Sequence, residues 1–176
     1  EMITQLDSSA EDRIEFSRMI KTSSTRLINT INGYMDISMI VSGLTEINKQ
    51  SFLLSKFIDK IRNLVVASCE SLNLKLDILL NIPERNVEII TDEDLLSKIF
   101  YHLTDNAIKF TKKGSITIGY ELKPGFHTFS VSDTGSGISE ELLTVIFDVF
   151  RQADLSISRG YEGSGLGLSI ARGFVK

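Results

Sequence analysis

"VSDTGSGISEELLTVIF", Val131 to Phe147, places an acid, two glycines and a helix start in one short run. The residues before Asp133, "FHTFSV", alternate as a strand does. Phe126, Thr128 and Ser130 fall on one face, His127, Phe129 and Val131 on the other. After Ser139 the spacing of Leu142, Leu143 and Ile146 predicts a helix. Strand and helix are therefore joined through Asp-Thr-Gly-Ser-Gly-Ile. A tight turn needs one glycine at most, so the second indicates that something approaches the backbone closely.

Outward from this turn, helices and strands mix without the strict alternation of a parallel sheet. Residues 55–72 read as a helix with Phe57, Ile58, Ile61, Leu64, Val65 and Cys69 on one face. "LKLDILLN", closed by Pro83, and "VEII" read as strands, and Asp92 caps a helix reaching Phe110. "SITIGYEL" and "HTFSVSD" form strands joined through "KPG", and residues 165–175 form a last helix. The expected fold class is α+β, a two-layer sandwich with helices on one face of a mixed sheet.

The first 43 residues differ. Between Glu11 and Val41 there is no proline and Gly33 is the only glycine, whereas Phe16, Ile20, Leu27, Ile31, Tyr34 and Val41 recur at steps of three and four. This predicts one long helix, begun by a capping box at Ser9 and Asp12 and stopped by Gly43. Its stripe suits either the core of a single compact domain or a helical hairpin that dimerises as a bundle.

Composition narrows the class. The 176 residues are 42% hydrophobic and 24% charged, with a formal net charge of −4 and a pI near 5.2. That is a globular chain, and its acidity argues against nucleic acid as a partner. Cys69, the single cysteine, excludes an internal disulfide and is expected as a buried thiol. No apolar run approaches the roughly 18 residues that cross a bilayer, and no signal peptide opens the chain, so a cytosolic portion of a larger protein is expected.

Two further stretches bear on chemistry. In the helix ending at Phe110, Leu95, Leu96, Ile99, Leu103 and Ala107 make the expected buried stripe, with Lys98, His102, Asn106 and Lys109 along another face. Asn is a poor mid-helix residue, because its amide competes for backbone hydrogen bonds. Asn106 and Lys109, one turn apart, suit a hard cation beside a phosphate, or else an ordinary polar face. In "SRGYEGSGLGLSI", Gly163, Gly165 and Gly167 alternate into a helix start, where backbone N–H groups and the helix dipole can hold an anion. No strand precedes it and no Gly-Lys-Ser/Thr follows, so neither a dinucleotide fingerprint nor a Walker A loop is present.

In order, "HLTDNAIKFT", "DTGSGI", "IFDVFRQAD" and "GSGLGLSIA" resemble the N, G1, F and G2 boxes of the sensor histidine kinases. Their ATP-binding fold is shared with gyrase, mismatch-repair and heat-shock ATPases. "EFSRMIKTSSTRLINTINGYMDIS" resembles the second helix of the kinases' dimerisation and phosphotransfer hairpin. The resemblance implies ATP and Mg²⁺ as cofactors. Asp133 would accept from the adenine amino group, Gly135 and Gly137 would let the base lie on the backbone, and Ile138 would form part of the wall. Asn106 would ligand Mg²⁺ and Lys109 would contact phosphate. Gly163, Ser164, Gly165, Leu166, Gly167 and Leu168 would cover the triphosphate. Residues 151–162 would be a lid entered through Phe147 and Phe150, with Arg159 a phosphate contact.

Departures accompany the resemblance. His102, also assigned to the nucleotide site, stands where such kinases usually carry Asn. Metal ligation, space filling and a weakened site all remain open for it. Glu162 replaces a common glycine beside the phosphates. No histidine is followed by an acid and, five residues on, a proline, so neither His102 nor His127 is the phosphoacceptor. Residues 1–43 are then half of the hairpin, with the acceptor helix missing, and residues 44–176 a C-terminally shortened catalytic domain. The expected function is transfer of the ATP γ-phosphoryl group to a histidine outside this sequence. A receiver domain or response regulator, a homodimer and a membrane-anchored sensor are expected in the full-length protein. The alternative is a nucleotide-binding regulatory module with little transferase activity.

Overall fold

The computed structural model describes residues 9–83, 87–151 and 164–175. Helix α1 (Ala10–Ser42) starts as the sequence predicts. The Ser9 hydroxyl accepts from Asp12 N–H at 3.1 Å while the Asp12 carboxylate accepts from Ser9 N–H at 3.0 Å. It stops at Gly43, whose φ of 67° lets Gly43 N–H donate to the Ile40 carbonyl and Leu44 N–H to that of Met39. The expected apolar stripe is not core, however. Leu27 is 63% exposed, Tyr34 52% and Val41 80%, whereas Gly33 and Asp36 are the buried positions of the helix.

The body follows as β1 (Gln50–Leu53), α2 (Leu54–Ser71), β2 (Leu76–Asn81), β3 (Glu88–Thr91), α3 (Glu93–Phe110), β4 (Gly114–Lys123), β5 (Phe126–Asp133), α4 (Glu140–Leu143) and α5 (Gly167–Val175). Strand β4 is central in a mixed sheet, parallel to β2 and antiparallel to β5. Strand β1, too short to stand out in the sequence, pairs antiparallel with β3 in a separate ribbon. Helices α2 and α3 pack on the sheet and α5 packs on α3.

The core joins Phe57, Ile58, Ile61 and Val65 of α2 to Phe100 and Ile108 of α3 and to Ile116 and Ile118 of β4. Phe100 meets Phe57 and Phe129 edge-on at 5.5 and 5.6 Å between ring centres. Two faces differ from expectation. Leu64 is 58% exposed and lies off the buried side of α2. On α3 the buried line runs through Phe100, Thr104, Ala107 and Ile108, with Leu95, Ile99 and Leu103 only half-buried. The cause is that α3 is packed on two sides. Its innermost residues meet α2 and the sheet, and Ile99 and Leu103 face a groove shared with Leu143, Phe147 and Val175. The helix expected after Ser139 lasts only four residues before giving way to turns, and α5 begins at Gly167 rather than at residue 165.

Candidate functional site

The Asp-Thr-Gly-Ser-Gly turn is tied to the end of α3 and the start of β4. Thr134 N–H donates to the Ser115 carbonyl at 3.1 Å, Ser115 N–H to the Thr134 hydroxyl at 2.9 Å, and Ser136 N–H to the Phe110 carbonyl at 3.3 Å. Asp133 Oδ1 accepts from Gly135 N–H at 2.8 Å and from the Thr111 hydroxyl at 3.4 Å. A Cβ at Gly135 would fall 2.4 Å from the Phe110 carbonyl oxygen. The close approach read from the sequence is therefore made at Gly135 by the chain itself. Gly137 is required for another reason: its φ is 69° and the space around it is open. Ile138 beside it is 48% exposed. The turn thus presents Asp133, Gly137 and Ile138 on an open face.

Helix α3 holds the polar residues of the second stretch. His102, Asn106 and Lys109 are all half-buried along it. The Lys109 ammonium is paired with the Asp105 carboxylate one turn earlier, a partner that its i,i+4 spacing would have revealed. Lys98, at the other end of this face, binds the buried Asp36 of α1 at 2.6 Å and lies over the Phe174 ring. Burial pushes the His102 imidazole below its usual pKa. The carboxylates of Asp36 and Asp105 oppose that shift, and Lys109 and Lys98 add to it.

The glycine-rich stretch comes to this same helix. A Cβ at Gly167 would lie 3.2 Å from His102 Nδ1, so the first turn of α5 rests against the imidazole. Gly165, with φ 70°, accepts from Phe150 N–H at 3.1 Å, and a Cβ there would press on the Phe150 and Arg151 backbone. Phe150 itself is held at φ 65°, a costly conformation for a bulky residue, and its ring meets Tyr34 of α1 at 5.8 Å. The Leu166 side chain is buried against Gly33; Leu168 is half-buried and Ser164 exposed. Arg159, Glu162, Gly163 and, apart from Arg151, the expected lid over 151–162 lie outside the described residues.

Helix α3 is thus the common strut. The glycine-rich start of α5 meets it at His102, Asn106 lies one turn on, and the Asp133 turn is fixed at its end through Phe110 and Thr111. Thr111, fully buried, was not singled out from the sequence although it closes the "KFT" run. Among the described residues no group of three or more His, Cys, Asp or Glu could hold a metal ion. The donors present fit an ion such as Mg²⁺, which keeps several waters and takes few protein ligands besides phosphate oxygens.

Residues 91–176 match the family described as histidine kinase-, DNA gyrase B- and HSP90-like ATPase. They form a domain of that family. The ATPase-family domain and the helices before it resemble two sensor kinases. The autoinducer 2 sensor kinase/phosphatase LuxQ of Vibrio parahaemolyticus is 31% identical over 172 residues, which are 94% of this chain and 20% of that protein. Hybrid signal transduction histidine kinase B of Dictyostelium discoideum is 35% identical over 178 residues, 98% of this chain and 9% of that protein. The chain spans a fifth or less of these relatives' length. The fold superposes on full-length ShkA, crystallised with AMPPNP, with a TM-score of 0.79 at 23% identity, covering 94% of this chain and 34% of that one. It also superposes on the catalytic domain of histidine kinase ThkA with a TM-score of 0.60 at 26% identity, covering 74% and 80%. The ATPase-family domain is homologous to the catalytic domains of sensor histidine kinases, and the α+β fold is theirs.

Proposed function

We propose that residues 44–176 bind Mg-ATP and pass its γ-phosphoryl group to a histidine supplied from outside residues 1–176. In this reading α1 belongs to the dimerisation and phosphotransfer hairpin. The observation that carries the proposal is the arrangement along α3. An open carboxylate turn stands at its C-terminal end, Asn106 and Lys109 lie on its polar face, and a glycine-rich helix start rests against His102. Nine residue steps separate His102 from the cap Thr111, about 14 Å, so base and phosphates are received at separate points along one rigid element.

Asp133 accepts from the adenine amino group, with Gly137 and Ile138 beside the base. The amide oxygen of Asn106 would hold Mg²⁺, and the ion when bound supplies charge neutralisation for the phosphates. Lys109, released from Asp105 or shared with it, and Arg159 offer phosphate contacts. Ser164, Gly165 and Gly167, leading into α5, offer backbone N–H groups, and Gly163 would add to them. With so little covalent work for the protein, rate enhancement comes from positioning and electrostatics. A response regulator or receiver domain would take the phosphoryl group onward, within a homodimeric, membrane-anchored sensor. No helix among the described residues is long and apolar enough to cross a membrane.

The Lys109–Asp105 pair also supports a second reading, a nucleotide-binding regulatory module with little transferase activity, since it withdraws a cation from the phosphates. One experiment separates the two. Incubation of the chain with γ-labelled ATP, Mg²⁺ and an added helical hairpin bearing an acceptor histidine should yield acid-labile, base-stable label on the hairpin only. ATP binding without transfer would establish the regulatory module; label on His102 or His127 would contradict both.

A further inference from the structure

The departure at position 102 acquires a role from what surrounds it. The imidazole occupies the place toward which a Gly167 side chain would point, with Nδ1 3.2 Å and Cβ and Cγ 3.7 Å from that point. Gly167 is not in the left-handed region and it opens α5, so the backbone itself would accept any residue there. A side chain there would require the imidazole to give way by a few tenths of an ångström. On the other side of the same turn, Leu166 is 1% exposed, and its Cδ1 lies 3.1 Å from where a Cβ on Gly33 of α1 would be. The turn is closed from within as well: the Ser169 hydroxyl donates to the Leu166 carbonyl at 2.7 Å and Ile170 N–H to the same oxygen at 2.9 Å. The Leu166–Gly167 turn is therefore gripped between α1 and α3.

We propose that His102 is a positioning residue: its imidazole, packed against Gly167, sets the height of the glycine-rich turn above Asn106 and so the fit of the phosphates. This deepens the nucleotide-binding reading and rests on it. His102 acts through the α5 backbone and needs no contact with the metal. The base end of the site is independent of it, because Asp133 is held by Thr111 and Gly135 N–H, and its turn by the Phe110 carbonyl, at the far end of α3. Loss of the imidazole should accordingly loosen the phosphate end and leave the base end intact.

That asymmetry is measurable with two ligands. Calorimetric titration of Mg-ATP and of adenosine into the wild type, His102→Ala, Gly167→Ala and the double variant forms a cycle for each ligand. His102→Ala should weaken Mg-ATP by about fivefold or more while adenosine changes by less than about twofold. Gly167→Ala should weaken Mg-ATP in the wild-type background and have little further effect once His102 is Ala, because the added methyl then has room. Thermal unfolding provides a second reading that needs no ligand. Gly167→Ala alone should lower Tm, whereas in the His102→Ala background it should raise it, as alanine in a helix does where space allows. Additive effects in the cycle, or equal losses for Mg-ATP and adenosine, would overturn the positioning role while leaving nucleotide binding in place. A wild type that binds neither ligand would overturn the nucleotide reading itself, and this proposal with it.

Discussion

Asp133 divides its carboxylate between the chain and the open face. Oδ1 accepts from Gly135 N–H and the Thr111 hydroxyl, so the turn depends on one oxygen and the other is left for a ligand. This makes Asp133→Asn a clean probe. The amide oxygen can replace Oδ1 toward Gly135, and the amide NH₂ then faces outward, where an adenine amino group would also donate. Donor against donor should weaken ATP by about 1–3 kcal/mol and GTP by much less, with the fold preserved. Calorimetry that finds equal losses for the two nucleotides would remove Asp133 from base recognition. Gly135 and Gly137 look alike in the sequence, yet one is needed because the Phe110 carbonyl is too near and the other because φ is positive.

Asp92 shows how an element is set in place by its first residue. Its side chain accepts from Leu95 N–H at 2.9 Å, capping α3, and from Asn48 N–H at 2.7 Å in the segment before β1. Asp92→Ala removes the cap and leaves the Asn48 donor unpaired, so a loss of about 1–2 kcal/mol is expected, read as a lowered urea midpoint at unchanged slope. A loss within about 0.3 kcal/mol would show that water replaces both bonds. The cap was legible because Asp before a periodic apolar run is a local signal. So were the ends of α1, the hairpin of β4 and β5, and the glycine-rich helix start. What could not be read was set by tertiary partners. The four-residue β1 has no pattern of its own, the buried line of α3 shifts because α2 and α5 claim different sides, and the Lys98–Asp36 pair joins residues 62 apart. The candidate site residues stood out as motifs. That His102 lies under Gly167 was not legible, since no spacing rule relates residues on separate elements.

At the scale of the molecule, stability should carry two separate acid steps. Burial holds the folded-state pKa of His102 below its unfolded value of about 6.5. Between those two values the unfolded chain takes up a proton that the folded chain does not, so stability falls as pH drops below about 6.5. Hydrogen bonds from Leu95 and Asn48 lower the pKa of Asp92, although burial opposes them. Its contribution is present above the usual carboxylate range and disappears only as pH falls through the lowered folded value. The steps are therefore ordered, histidine first. Urea midpoints from about pH 7.5 to 5 should decline more steeply for the wild type than for His102→Asn, since other groups contribute equally to both. Parallel curves would mean that the imidazole is hydrated in the folded chain.

Among the described residues, helix α1 touches the body near its C-terminal end, through Gly33, Tyr34, Asp36 and Ile40, while residues 17–29 are exposed. The 23 residue steps from Gly33 back to Ala10 rise about 35 Å from that seat. Geometry then makes the helix a long arm on a short pivot. A tilt of about 10° at the seat moves the far tip by about 6 Å, and a tip displaced by that distance turns the Leu166–Gly167 contact by the same small angle. Motion is magnified in one direction and reduced in the other, so large movements at the tip reach the glycine-rich turn as adjustments of a fraction of an ångström.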